Sequence, residues 1–164
     1  MSRLLQYCCA VLVVVVALLH SAEALSGATR KNILSVHNKF RTKHHAPKLA
    51  YSETLEKYAQ KVSNTCKMVH SGGPYGENLA MGYKNAGDAI TAWYNEVKNY
   101  DYSNPGFASN TGHFTQVVWK GTSEVGCGIT TCNGGTKMVT CSYKAPGNMV
   151  GNNNLYFKQN VLKP

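Results

Sequence analysis

The spacing of apolar positions changes repeatedly along the chain, and each change predicts an element. Cys8 through Leu19 is an unbroken apolar run. From Thr29, the residues Ile33, Val36 and Phe40 recur at helical spacing. That pattern stops near His44-His45-Ala46-Pro47, because proline cannot continue a helix. Leu49-Ala50-Tyr51 reads as a short strand. Ser52 is placed to cap a second helix, in which Leu55, Tyr58, Ala59, Val62 and Cys66 share one face. Gly72-Gly73-Pro74 interrupts the chain. A third helix is predicted over 86–99, and its stripe of Ala89, Trp93, Glu96 and Tyr100 sets a carboxylate among apolar groups. A loop rich in Ser, Asn and Gly occupies 101–111, and a short fourth helix covers 113–119. Two β-rich runs, Val125–Thr131 and Lys137–Tyr143, flank the turn signal Asn133-Gly134-Gly135. The Asn-rich tail from Gly147 is expected to be anchored by Leu155-Tyr156-Phe157 and Val161-Leu162. The mixture is α+β.

The first apolar run has a targeting character. Arg3 precedes it and Ala22-Glu23-Ala24 follows as an A-x-A cleavage site, so residues 1–24 read as a secretory signal peptide. The run is too short for the roughly 20 apolar residues of a spanning helix. Residues 25–164 then form one domain. Cys8 and Cys9 leave with the signal, and Cys66, Cys127, Cys132 and Cys141 remain, an even number in an oxidising compartment. Positions 127 and 141 are symmetric about Gly134, so they face each other across the predicted hairpin, within disulfide reach. This favours Cys127–Cys141 and leaves Cys66 with Cys132. Zinc binding by these cysteines is disfavoured, since no C-x-x-C pair is present. The formal net charge is +9. Arg30, Lys31, Lys39, Arg41, Lys43 and Lys48 all precede the first acid of the domain, Glu53. Such a face suits anionic membrane or cell-wall surfaces. Nucleic acid is not an expected partner of an exported chain without a recognition motif, and a monomer is expected.

Four blocks give the sequence a family character: His37-Asn38 with Arg41, Gly76-Glu77-Asn78-Leu79, Gly112-His113-Phe114-Thr115-Gln116-Val117-Val118-Trp119, and Cys141-Ser142-Tyr143-Lys144-Ala145-Pro146-Gly147-Asn148. In this order they resemble the signatures of the CAP superfamily, which comprises cysteine-rich secretory proteins, insect antigen 5 and plant pathogenesis-related group 1 proteins. The runs His70–Leu79 and Asn99–Phe107 are similar to those of secreted fungal members that bind sterols and other lipids. The resemblance implies an α-β-α sandwich, with helices on both faces of a small, largely antiparallel sheet, and it agrees with the disulfide pairing above. It also implies a tetrad of His70, Glu77, Glu96 and His113 across one cleft, able to bind zinc or magnesium although no metal is required. The residues themselves support part of this, because a carboxylate on an apolar stripe needs a partner and imidazole and carboxylate donors suit these cations. His37 reads instead as a core or capping histidine, with Asn38 and Arg41 bonded to the carboxy-terminal half.

Tyr100, Tyr102 and Phe107 follow an aromatic spacing that resembles the sterol-binding loop of the fungal members. Aromatic faces flank a flat ring system well, and a loop rich in small residues can open to admit it. Three functions compete on this sequence. The first is a secreted, non-enzymatic protein that binds or exports sterols and related small hydrophobic molecules, fatty acids included. The second is a metal-dependent hydrolase or protease using the tetrad. No G-x-S-x-G elbow accompanies it, since Ser123 lies in a segment without the second glycine, and Ser71 merely adjoins His70. The third is a defence or virulence precursor that releases a carboxy-terminal peptide near Ala145. Here Lys144-Ala145 stands where the plant pattern has Asp-Pro.

Overall fold

Polar caps set where the helices begin. In the computed structural model, which describes residues 24–164, the Ser26 hydroxyl accepts the Thr29 amide and opens α1 (Gly27–Lys43). The expected signal segment lies outside the described residues except for Ala24. Ser52 accepts the Leu55 amide at the start of α2 (Glu53–Ser63), and Asn85 accepts the Asp88 amide at the start of α3 (Ala86–Asn95). Two shorter helices follow, α4 (Gly112–Val118) and α5 (Leu155–Asn160).

The strands β1 (Ala50–Tyr51), β2 (Gly76–Met81), β3 (Glu124–Thr131) and β4 (Lys137–Lys144) form one sheet in the order β1-β3-β4-β2. β1 runs parallel to β3 and the other pairs are antiparallel. Cys127 stands opposite Cys141 in the β3–β4 hairpin, and the two are joined with Cα atoms 4.0 Å apart. Cys66 is joined to Cys132.

Strand alternation sorts the side chains into two layers. Val125, Cys127, Val139, Cys141 and Tyr143 join the large core formed with α1, α3 and α4, which includes Ile33, Phe40, Ile90, Trp93, Phe114 and Val117. On the opposite face Met138 packs with Leu79 and with Val62 of α2. Between these side chains α2 lies almost on the sheet backbone. A Cβ at Gly126 would strike the backbone of Ser52 and Glu56, and one at Gly128 the backbone of Gln60. The result is an α-β-α sandwich. Arg41, wholly buried, ties its first layer together by donating to the carbonyls of Pro47, Val117, Trp119 and Thr122.

Several boundaries differ from the sequence expectation. α2 ends at Ser63 and does not reach Cys66, which turns the chain with a φ of 53°. α3 stops at Asn95, and the chain tightens into a 3₁₀ turn over Glu96–Asn99. β2 and α5 were not foreseen. Phe157 of α5 is buried against Trp119.

Candidate functional site

The expected tetrad resolves into two histidine–glutamate pairs. The 3₁₀ turn after α3 carries Glu96 to the first turn of α4, where four amide groups have no helical partner. The Glu96 carboxylate accepts the backbone amides of His113 and Phe114, each at 3.1 Å, and lies 2.7 Å from His113 Nδ1. Glu96 therefore orients the His113 ring and caps the helix that bears it. The ring also stacks on buried Trp93 at 6.0 Å. In the second pair, His70 Nδ1 lies 2.8 Å from Glu77 Oε1, which also accepts the Ser71 amide. The Glu77 side chain is only 6% exposed, and its Oε2 is buried with no partner among the described residues.

Both rings bond a carboxylate through Nδ1, which directs Nε2 away from the pair. Asn148 connects the pairs. It lines the groove of about 240 Å³ that holds His70, Glu77 and Gln116, and its amide donates to the carbonyl of Gly112, the residue before His113. Asn78, beside Glu77 in β2, donates to the His113 carbonyl. Among the described residues, no three His, Cys, Asp or Glu side chains gather closely enough to enclose a metal ion. The donor chemistry still fits a cation. Imidazoles held by carboxylates are oriented for a ligand, and Glu77 Oε2 is an acceptor in need of a partner. A closed four-ligand protein cage is not what these residues form.

The sequence did not single out Gln116. Fully buried, it accepts the Gly147 amide and donates to Thr122, so it forms the floor of the groove. Its signal was its place beside His113 in the same block. No hydrogen bond joins Ser71 or Ser123 to a histidine among the described residues. Ser71 bonds Tyr58 and Gly73, and Ser123 bonds the Lys144 carbonyl. The segment near Ala145 is held by Thr122, which donates to the Ala145 carbonyl.

The aromatic loop divides its three residues. Tyr100 and Phe107 line a groove of about 510 Å³ with Ala108, Thr111, Val150 and Asn154. Phe107 is 54% exposed and Val150 69%, with Met149 exposed beside Val150 in the chain. Tyr100 is buried, and among the described residues its hydroxyl has no partner meeting hydrogen-bond geometry, although the Gly106 amide lies nearby. Burial pushes this phenol up to about 12. Tyr102 turns away from the groove. Its ring packs edge-on to Tyr100 and its hydroxyl lies 3.5 Å from His44 Nδ1, beneath the loop.

Comparison with known proteins bears on the family and the fold. The model of the cysteine-rich secretory protein (CAP) family covers residues 34–143. The chain is 51% identical over 137 residues to Protein PRY2 of Saccharomyces cerevisiae, covering 80% of this chain and 40% of that protein. It is 42% identical over 149 residues to the Secreted protein RBT4 of Candida albicans, covering 82% of this chain and 40% of the relative. The chain thus spans about half the length, or less, of these fungal relatives. Among solved structures, BmVAL-1 superposes with a TM-score of 0.70 at 28% identity, covering 79% of this chain and 82% of that one. NaASP2 with Zn2+ gives 0.66 at 27%, covering 77% and 84%.

Proposed function

The chain belongs to the CAP family of cysteine-rich secretory proteins, and from that premise we propose that it is an exported, non-enzymatic binding protein for sterols or related small hydrophobic molecules. One observation carries this reading: the groove at the 101–111 loop sets exposed apolar side chains, among polar ones such as Asn99, Asp101 and Asn154, beside the buried Tyr100 hydroxyl. Phe107, Ala108 and Val150 offer apolar surface, and beside them the buried Tyr100 hydroxyl, unlike that of Thr111, has no hydrogen-bond partner among the described residues. A sterol has the same division, a flat apolar ring system with one hydroxyl, and placing that hydroxyl on Tyr100 would satisfy a group that is costly to leave unbonded. The disulfide-linked sandwich gives the loop a rigid base. Export is supported by the signal segment, the disulfides and a relative named as secreted.

Equilibrium binding of a fluorescent sterol to the purified chain tests the proposal. Replacing Phe107 with Ala removes about 60 Å² of apolar contact, roughly 1.5 kcal/mol at about 25 cal/mol per Å², or about a tenfold weaker Kd. Phe107→Ala should leave the melting temperature close to the parent's, because the side chain is exposed. Tyr100→Phe should weaken a sterol but not its 3-deoxy analogue. Parental sterol affinity in both variants would place the ligand elsewhere.

A divalent cation in the cleft is the second reading, favoured by the orphaned Glu77 oxygen and by the structural relative NaASP2, solved with Zn2+. His70 and His113 would hold it, with Glu77 and Glu96 orienting the rings, and zinc suits imidazole better than magnesium does. A bound cation would supply charge and polarise water at the cleft. The chain's own part is to fix the two rings and to seat Asn148 and Gln116 beside them. In calorimetry, His113→Ala should weaken zinc binding, and the His70→Ala/His113→Ala pair should abolish it; unchanged binding in the double variant would remove the site. Peptide or ester hydrolysis that a chelator stops would instead support the hydrolase reading.

A further inference from the structure

Between the start of α1 and the first turn of α2, the carboxylate of Glu56 collects four hydrogen bonds. Arg30 Nε donates to Oε2 at 2.8 Å and the Tyr51 hydroxyl donates to the same oxygen at 2.6 Å. Oε1 accepts Arg30 Nη2 at 3.0 Å and the backbone nitrogen of Leu25 at 3.1 Å. Glu56 is 4% exposed, and a buried carboxylate needs compensating charge. Arg30 does not supply enough for its neighbourhood, because its third nitrogen also pairs with Glu53 at 2.6 Å. Two carboxylates share one guanidinium, and the cluster retains one negative charge. Lys57 and Lys61 line the adjoining groove from the same helix as Glu56 but form no ion pair with it among the described residues.

Leu25 is the first residue after the A-x-A site. We propose that removal of residues 1–24 turns the Leu25 nitrogen into an ammonium group that completes this cluster, making Glu56 the receptor for the mature amino terminus. The inference goes beyond lipid binding and rests on the export reading only for the cleavage itself. In that step a signal-processing peptidase adds water across the Ala24–Leu25 bond. The hydroxyl goes to the Ala24 carbonyl and the proton to the Leu25 nitrogen, which takes up another at neutral pH. The position is already fixed. The Leu25 side chain packs on the main core, and Ser26, the next residue, is the cap of α1. Ala24, which leaves in the cut, lines the groove of about 340 Å³ beside Glu56. The amide donates one hydrogen bond and no net charge; the ammonium brings three donors and cancels the residual charge. Cleavage thus strengthens the tie between the start of α1 and the first turn of α2.

The intact mass of the secreted chain should correspond to a Leu25 start. An ammonium held by Glu56, with Arg30, Glu53 and Tyr51 as its other charged or titratable neighbours and Lys57 and Lys61 at the rim, should lose its proton less readily than an ordinary α-amino group of pKa about 7.7–8.0. One unit of elevation leaves about tenfold less free amine, so acylation of Leu25 near pH 7 should run about tenfold slower in the folded chain than in the same chain in urea. Glu56→Gln should restore the fast rate. The urea comparison uses the parent alone, so it does not depend on that variant folding. The α-N-acetylated Leu25 chain should also melt a few degrees below the free-amine chain, with no such difference in the Glu56→Gln background. A different mature terminus, equal acylation rates in the folded and unfolded parent, or a melting temperature indifferent to acetylation would each overturn the proposal.

Discussion

His37 shows how a family-signature residue can serve the interior. It is fully buried, its Nδ1 lies 2.9 Å from the Ile33 carbonyl and its Nε2 2.9 Å from the Tyr143 hydroxyl. A carbonyl only accepts, so Nδ1 carries the proton and Nε2 accepts from Tyr143. Charging the ring would cost this bond and set a cation near Arg41. Burial above all, with the Arg41 charge adding to it, lowers the imidazole to about 4, against the opposing bond to Ile33. Between about pH 6.5 and pH 4 the unfolded chain binds a proton that the native one refuses, so stability is full above that window and falls with acidification. The loss approaches roughly 3 kcal/mol at its lower end. Below it Glu56 adds to the acid loss. Burial raises that carboxyl, but the hydrogen bonds from Arg30, Tyr51 and Leu25 outweigh burial and hold it below its usual value. Urea midpoints of the parent should drop across pH 6.5–4 more steeply than those of His37→Gln. Matching slopes would remove His37 as the cause.

Among the elements, the contact of α2 with β3 depends most on a missing side chain. Gly126 and Gly128 face α2 from alternate positions, and Ala at 128 would overlap the Gln60 backbone. Gly128→Ala should cost about 1–3 kcal/mol in urea unfolding, the usual price of overpacking. Gly27→Ala, in open space at the first turn of α1, should change little; equal midpoints for the two variants would refute the close approach. Most helices and the hairpin were legible in the sequence because caps, spacing and the Asn-Gly-Gly turn agreed. β2 was not, since Asn78, Leu79 and Ala80 are all buried and hide the alternation that marks a strand. α5 was not, because Phe157 alone is buried within its six residues. In the cleft, resemblance supplied four residues, but nothing in their spacing told which histidine joins which glutamate. That depends on the turn that brings Glu96 to α4. Glu56 gave no signal at all, since its partner Arg30 lies 26 residues away and both read as surface charges of their helices.

At the scale of the whole molecule, the charge of +9 is unevenly spread. Lys31, Lys39 and Lys48 surround a shallow groove with Ser35, Asn38 and Thr42, and among the described residues no acid lines it. We expect the chain to bind vesicles with anionic headgroups more tightly than zwitterionic ones, and to release them as salt shortens the Debye length from about 10 Å at 0.1 M to about 3 Å at 1 M. Combined Lys31→Glu, Lys39→Glu and Lys48→Glu should lower vesicle binding without changing sterol affinity, since these lysines do not line the loop groove. Equal binding to both vesicle types would rule out this face as an electrostatic docking surface. The same large scale governs the order in which structure can form. Arg41 reaches carbonyls 76 to 81 residues ahead of it, His37 meets a hydroxyl 106 residues ahead, and His44 meets the carbonyl of Leu162, 118 residues ahead. Loops of that length close slowly. The first helix therefore has no settled place until the chain has been made as far as Leu162. On the export route proposed above, in which a chain is threaded through a membrane channel before it folds, that delay would keep it soft enough to pass.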